Sequence, residues 1–126
     1  MKLRIKSDSM RLRVSPSEVE RLLRAGRIEE TIQFAPNQDA KLTYALEQAP
    51  SDQEISVRYR PQEVTVLLSA ERARAWAEGE QVGIYGAVDA GSAQLTLVVE
   101  KDFACLDLSD ADNADTFANP KSVGAC

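Results

Sequence analysis

The sequence contains no histidine among its 126 residues. This absence excludes Ser-His-Asp and Cys-His catalysis within the chain, and it excludes metal sites built on imidazole ligands. One tryptophan, three tyrosines and three phenylalanines are too few to form an extended stacking surface for bases or sugars. Catalysis would have to rely on carboxylate, serine, lysine or arginine chemistry, and no constellation of these residues marks an active site. An enzyme without a recognisable motif therefore remains an alternative, and we predict no catalytic residue.

Cysteine is also scarce. Cys105 and Cys126 could form at most one disulfide, which is unlike the cysteine-rich scaffolds of small secreted proteins. Cys105 stands in an apolar stretch between Asp102 and Asp107. Because neighbouring anions oppose thiolate formation, this setting favours a buried structural cysteine over a reactive thiol. We expect Cys126 to be an exposed thiol near the chain end, and the sequence leaves open a redox role for either residue.

No apolar run approaches the roughly 20 residues that a membrane helix needs, and residues 1–14 alternate charged and apolar side chains instead of forming a signal-peptide core. We therefore expect a cytoplasmic protein that does not bind a membrane.

Two motifs that resemble ligand sites fail on their spacing. Asp110, Asp112, Asn113 and Asp115 supply oxygen ligands, but counting from Asp110 puts Asp115 at the glycine position of a calcium loop and a lysine at the glutamate position. The segment 83–86 has two glycines but lacks the third glycine and the lysine of a phosphate loop, so it is better interpreted as a kinked strand. We predict no metal and no cofactor.

Charge is distributed unevenly along the chain. The sequence has 15 basic and 20 acidic residues, a formal net charge of −5. Residues 1–27 nevertheless hold eight basic residues against three acidic ones, so the acidic excess lies entirely behind residue 27. This asymmetry permits two interpretations: internal pairing of charges across neighbouring strands, or a basic surface that faces a partner.

The first half of the chain predicts strands, a helix and further strands. Residues 3–6 and 10–14 alternate strictly around a Ser7-Asp8-Ser9 turn, which is typical of a hairpin with one wet face. Ser15, Pro16 and Glu18 form a capping-box pattern that starts a helix, and Gly26 ends it. Strands are predicted from Ile28 to Phe34 and from Lys41 to Glu47, with a turn at residues 36–39.

The second half repeats this order. Strands at 55–60 and 64–68 precede a helix capped by Ser69, and strands at 82–88 and 94–101 follow it. We therefore predict an α+β fold, a compact β-barrel or sandwich made of two strand-strand-helix-strand-strand repeats with two peripheral helices. The pseudo-repeats span 1–48 and 54–101 within one domain, 1–107, followed by an acidic C-terminal tail, 108–126. Convergence of two similar amphipathic units is the alternative to duplication.

The predicted core combines residues from the apolar faces of these strands and helices. Its members are Met10, Leu12, Val14, Val19, Leu22, Leu23, Ile32, Phe34, Leu46, Val66, Leu68, Trp76, Ile84, Leu97 and Val99.

The chain resembles two known groups of proteins. The element order resembles the swapped-hairpin unit of AbrB-like transition-state regulators, in which two such units form one barrel. The segment Val99-Glu100-Lys101-Asp102-Phe103-Ala104-Cys105-Leu106, with 5–6, 11–13, 17–19, 42–47 and 117–120, resembles a family of short bacterial proteins of unknown function. That second resemblance implies a single domain and a bacterial origin, and it implies no activity.

Three functional hypotheses follow. The chain is a non-enzymatic binding or accessory module whose partner is another protein, an enzyme without a known motif, or an AbrB-like regulator that binds nucleic acid through its basic hairpin. An isoelectric point of about 4.8 weighs against nucleic acid, because phosphate attraction dominates that binding. We expect Arg4, Lys6, Arg11 and Arg13 to point away from the core as a partner-facing basic patch, partly paired with internal acids such as Glu47 or Glu100.

Overall fold

The computed structural model describes residues 1–103 and 115–117. The helices and strands within them are β1 (Lys2–Lys6), β2 (Ser9–Val14), α1 (Pro16–Ala25), β3 (Arg27–Gln33), β4 (Lys41–Ala49), β5 (Ile55–Arg60), β6 (Glu63–Ser69), α2 (Ala70–Glu78), β7 (Gly83–Asp89) and β8 (Gln94–Lys101). This order confirms the α+β prediction.

The strands form two four-stranded sheets. The first sheet has the order β1-β2-β8-β7, and the second has the order β3-β4-β6-β5. In each sheet the two central strands are parallel, and each outer strand is antiparallel to its neighbour. The central pairs, β2 with β8 and β4 with β6, therefore join strands that are distant in sequence.

The sequence predicted either a closed barrel or a sandwich. The closed barrel is wrong, because no strand ladder joins the two sheets within the described residues. At one junction β5 of the second sheet approaches β7 of the first. A Cβ atom at Gly86 of β7 would collide with Cγ2 of Ile55. The two edges thus meet through an apolar side chain seated over a glycine, and this packing takes the place of a hydrogen-bonded ladder.

The core is one cluster of buried side chains from both sheets and both helices. Leu12 lies opposite Val99 in the first sheet, and Leu46 lies opposite Val66 in the second. All four side chains are buried. The helices contribute one large residue each, Leu22 from α1 and Trp76 from α2, and both are fully buried.

Three members of the predicted core occupy other environments. Ile32 and Phe34 are 46% and 65% exposed, and Leu23 is only half-buried. β3 is an outer strand paired with β4 alone among the described residues. Its second half runs beyond the core, and Phe34 lies past the end of the strand. Alternation therefore gave the correct face for Ile32 but could not reveal how far the core extends.

Both helices begin at the predicted serines. Ser15 and Glu18 form the complete capping box, and Gly26 ends α1 in the left-handed region with φ of +83°. At α2 the hydroxyl of Ser69 accepts the backbone N–H of Arg72 at 3.2 Å. Arg72 stands at the third helical position, where a box would need an acceptor, so only one half of the box forms.

Glu18 also connects α1 to the first residue of the chain. Its carboxylate accepts a hydrogen bond from the Met1 ammonium group, and its other oxygen accepts the Ser15 backbone N–H at 3.0 Å. Burial raises the pKa of Glu18, but the hydrogen bonds from Met1 and Ser15 outweigh burial and hold that pKa below its ordinary value of 4.5.

The outer face of the second sheet carries an ion-pair network of two arginines and three glutamates: Arg27, Glu29, Glu47, Arg58 and Glu63. Glu47 is central to it, with Arg27 Nη1 at 2.8 Å and Arg58 Nη1 at 3.3 Å. Burial raises the pKa of Glu47, whereas hydrogen bonds from Arg27 and Arg58 lower it by more. The net result is a pKa below the ordinary 4.5.

Residues 115–117 pack against the end of β8 and the start of α1. The Phe117 backbone N–H donates to the Asp102 carbonyl at 2.7 Å, and its ring lies edge-on to Phe103 with centroids 5.8 Å apart. Ser17 Oγ donates to Asp115 Oδ2 at 2.6 Å. This segment therefore extends the packed structure beyond the last strand.

The core described here predicts that truncation of a buried side chain destabilises the protein much more than truncation of an exposed one. Truncation of Leu22 or Trp76 to Ala should lower the free energy of unfolding by about 2 to 5 kcal/mol, because a fully buried side chain leaves a cavity. Phe34→Ala is the matched control, and its effect should stay within about 0.5 kcal/mol. Chemical denaturation measures all three. A Trp76→Ala protein as stable as wild type would contradict the core described here.

The two lowered glutamate pKa values predict acid sensitivity. Because the folded pKa lies below the unfolded one, each carboxylate contributes its full stability above pH 4.5, and that contribution is lost as the pH falls through the folded pKa. Glu47→Gln should reduce stability at neutral pH by about 1 kcal/mol and flatten the decline on acidification. Denaturation midpoints between neutral and acidic pH measure this. A decline of unchanged steepness in Glu47→Gln would refute the assigned role of Glu47.

Candidate anion-binding face

The outer side of the first sheet collects the arginines of the N-terminal hairpin. Strict alternation directs Leu12 of β2 into the core and leaves Arg11 and Arg13 on the other side. The antiparallel register places Arg4 opposite Arg11 and Lys6 opposite Ser9. All four predicted residues, Arg4, Lys6, Arg11 and Arg13, therefore share one face, which we call the basic face.

Glu100 is the carboxylate that pairs with this group among the described residues. It extends from β8 and is paired in register with Arg13 of β2. One oxygen lies 3.7 Å from Arg11 Nη1 and 4.0 Å from Arg13 Nε. Glu100 thus partly neutralises the two arginines of β2, in agreement with the expectation that it would pair with them. Glu47, the other expected partner, instead binds Arg27 and Arg58 on the second sheet.

Tyr85 borders the basic face on the far side of β8. Its side chain is 58% exposed, and its hydroxyl donates to Glu100 Oε2 at 3.3 Å. Burial and the charge and hydrogen bond of Glu100 raise the pKa of Tyr85. No sequence motif singled out this residue. Alternation from the buried Ile84 could have indicated its outward position, but not its contact with Glu100.

Arg4 and Lys6 differ from the arginines of β2. Both are exposed on β1, and no ion pair of either residue is found in the described part of the chain. They line a shallow cavity of about 270 Å³ together with Ser9, Met10, Arg11 and Val98. Lys2, on the same strand, is instead paired with Asp102 at 2.9 Å. The unneutralised charge of the basic face is therefore concentrated at Arg4 and Lys6.

The outer faces of the two sheets differ in how their charges are paired. The second sheet balances two arginines with three glutamates, and its network covers the fully buried Thr65. The basic face sets four cations against Glu100. The network pairs Arg27 and Arg58 internally, whereas Arg4 and Lys6 leave the basic face a positive excess that can attract an anion.

A cavity of about 700 Å³ lies where α2 begins, and its lining combines the acids Asp52, Glu54 and Glu71 with Arg72. The hydroxyls of Ser51 and Ser69 both accept backbone N–H groups there, and Arg72 Nε lies 3.6 Å from Glu54. Ser69 is thus the cap of α2, Ser51 accepts within a turn, and the arginine is paired. Among the described residues no carboxylate forms a hydrogen bond with either of these serine hydroxyls.

Other candidate features give no site in residues 1–103 and 115–117. No group of three or more acidic or cysteine side chains in these residues is placed to hold a metal ion. No helix in the same part of the chain combines the length and apolar character needed to cross a membrane. Cys105, Cys126, Asp110, Asp112 and Asn113 lie outside the described residues, so the expectations for the cysteines and for the acidic loop stay predictions.

Comparison with known proteins agrees with the resemblance to an uncharacterised family. No curated protein and no solved structure matches the chain. One family model matches residues 1–121 and is described as a family of unknown function, DUF7009. Since the match covers nearly the whole sequence, the chain belongs to this family of unknown function.

Proposed function

We propose that this protein is a non-enzymatic binding module that uses the basic face to hold an acidic segment of a partner protein. The observation that carries the proposal is the exposure of Arg4 and Lys6 beside Arg11, without an ion-pair partner among the described residues. Internal ion pairs engage most of the other arginines of the described residues, such as Arg11 on the same face and Arg27 on the second sheet. It leaves the charge of β1 to be neutralised from outside.

The chemistry of the face favours a peptide over a polymer of phosphates. A net charge of −5 repels a long polyanion, whereas a short acidic segment contacts only the local positive surface. Val98 and Tyr85 lie in the same sheet row as Arg4 and Arg11. They add apolar and aromatic area, which protein interfaces use more than phosphate contacts do.

Glu100 prepares this face for binding. Its contacts with Arg11 and Arg13 hold two flexible side chains in place before a partner arrives, which lowers the entropy lost on binding. The new ion pairs would form at Arg4 and Lys6. Because exposed ion pairs contribute up to about 1 kcal/mol each, we expect modest affinity that weakens as salt is added.

The same proposal includes the origin of the fold. Residues 1–48 and 54–101 are taken as a duplicated unit within one domain, 1–107, located in the cytoplasm. The strand registers support duplication. Met10 pairs with Leu97 in the first sheet. The position about 54 residues after Met10 is Val64, the position about 53 residues before Leu97 is Tyr44, and these two residues are register partners in the second sheet. Both units then have one helix, capped by Ser15 or by Ser69.

The test is a binding titration with a short fluorescent peptide rich in glutamate. The double variant Arg4→Glu/Lys6→Glu should weaken binding at least about tenfold, a loss of about 1.4 kcal/mol, because repulsion replaces attraction at the two unpaired positions. Lys41→Glu/Arg60→Glu is the matched control. It changes the net charge equally at exposed positions on β4 and β5 that have no ion pair among the described residues, and it should bind nearly as wild type.

Salt and nucleic acid complete this test. Binding of the peptide by wild type should weaken as salt is raised. Equal loss in both double variants would show that only net charge matters, and the proposal would be wrong. Tighter, salt-sensitive binding of duplex DNA than of the peptide would overturn the choice of a protein partner in favour of the nucleic-acid alternative.

A further inference from the structure

β1 is an outer strand with an open side. It pairs with β2 through five residues and has no second strand partner in the described structure. An outer strand presents unpaired N–H and C=O groups and can add a further strand from another molecule. What β1 can bind therefore depends on which of its backbone groups are free and on the side chains that accompany them.

The hairpin turn decides which groups are free. β1 and β2 are joined by two residues, Ser7 and Asp8, and Lys6 lies opposite Ser9. In a hairpin of this kind the pair that closes the turn exchanges hydrogen bonds, and the bonded pairs then recur at every second residue. Lys6 and Arg4 therefore bond to β2. The N–H and C=O groups of Leu3 and Ile5 point away from the sheet.

The side chains of β1 divide between the two sides of this edge. Arg4 and Lys6 extend from the basic face. Ile5 points to the opposite side, yet it is 62% exposed, so its apolar surface is incompletely covered. The edge thus combines free hydrogen-bonding groups, two unpaired cations on one side and an exposed isoleucine on the other.

We propose that the partner segment binds as an extended strand added to the edge of β1, with acidic residues alternating with apolar ones. This inference rests on the proposed function and specifies how the basic face is used. The carboxylates of the added strand meet Arg4 and Lys6 across the pair, and its apolar residues cover Ile5. Main-chain bonds to Leu3 and Ile5 supply the remaining contacts.

A second copy of this chain is a poor occupant of the same edge. Antiparallel pairing of β1 with itself would bring Lys2, Arg4 and Lys6 close to their counterparts, and like charges opposite one another destabilise a sheet. No other outer strand of the described structure carries two unpaired cations. Ile55 of β5 packs over Gly86 of β7, and β3 carries Glu29 and Glu30. Charge complementarity therefore favours an acidic partner over a second copy of the chain, and it favours β1 over the other outer strands as the binding edge.

Backbone methylation of a probe peptide tests the inference without altering the protein. The probe is a labelled peptide that alternates glutamate and valine, compared with one methylated at every valine amide and one methylated at every glutamate amide. In an added strand only one of these sets of N–H groups points to β1, the valine set if the strand is antiparallel and the glutamate set if it is parallel. One methylated peptide should lose at least about tenfold in affinity, and the other should bind nearly as the unmodified peptide.

Ile5→Pro provides the corresponding change in the protein. The Ile5 N–H is not used by β2, so proline at this position removes the outward donor and leaves the β1–β2 ladder intact. Ile5→Val is the control that keeps the N–H. Ile5→Pro should lose affinity for the unmodified peptide at least about tenfold, whereas Ile5→Val should not. If Ile5→Pro lowers the melting temperature so far that the variant is unfolded in the assay, the titration of wild-type protein with the methylated peptides tests the inference instead.

The outcomes separate this inference from the function on which it rests. Equal affinity of both methylated peptides and the unmodified one would overturn strand addition. If Arg4→Glu/Lys6→Glu still weakened binding in that case, the basic face would remain the binding surface with a different mode of contact. If that double variant bound the unmodified peptide as wild type does, the proposed function itself would be wrong.

Discussion

The structure depends on two parallel strand pairs, β2 with β8 and β4 with β6, that join the two halves of the chain. In the first pair Leu12 lies opposite Val99, and in the second Leu46 lies opposite Val66. Each pair places buried side chains from both halves in the same row of a sheet. Neither half completes a sheet alone, so the core and both sheets form together.

This pairing also determines where charge is exposed. β8 brings Glu100 beside Arg11 and Arg13. Glu100 forms no ion pair with Arg4 or Lys6, because β1 lies one strand further out in the sheet. The second sheet has glutamates on several of its strands, and they pair with Arg27 and Arg58. The positive excess at Arg4 and Lys6 follows from their place on an outer strand and not from composition alone, since the chain as a whole is acidic.

Local sequence patterns predicted the elements well, because their causes are local. The capping residues Ser15 and Ser69 and the alternation of residues 9–14 each depend on a few neighbouring residues. Sheet membership depends on contacts between distant residues, which is why the exposure of Ile32 and the meeting of Ile55 with Gly86 could not be foreseen. For the candidate face, alternation predicted the outward arginines. Which of them Glu100 neutralises required the register of β2 with β8.

The most direct measurement of the central claim is an amide NMR titration of the protein with the alternating glutamate and valine peptide. We predict that the largest shift changes occur at β1, including Arg4, Ile5 and Lys6, with smaller changes at neighbouring residues of β2 and almost none in the second sheet. Changes centred on α2 or on the network around Glu47, or no changes at all, would contradict the assignment of binding to the basic face.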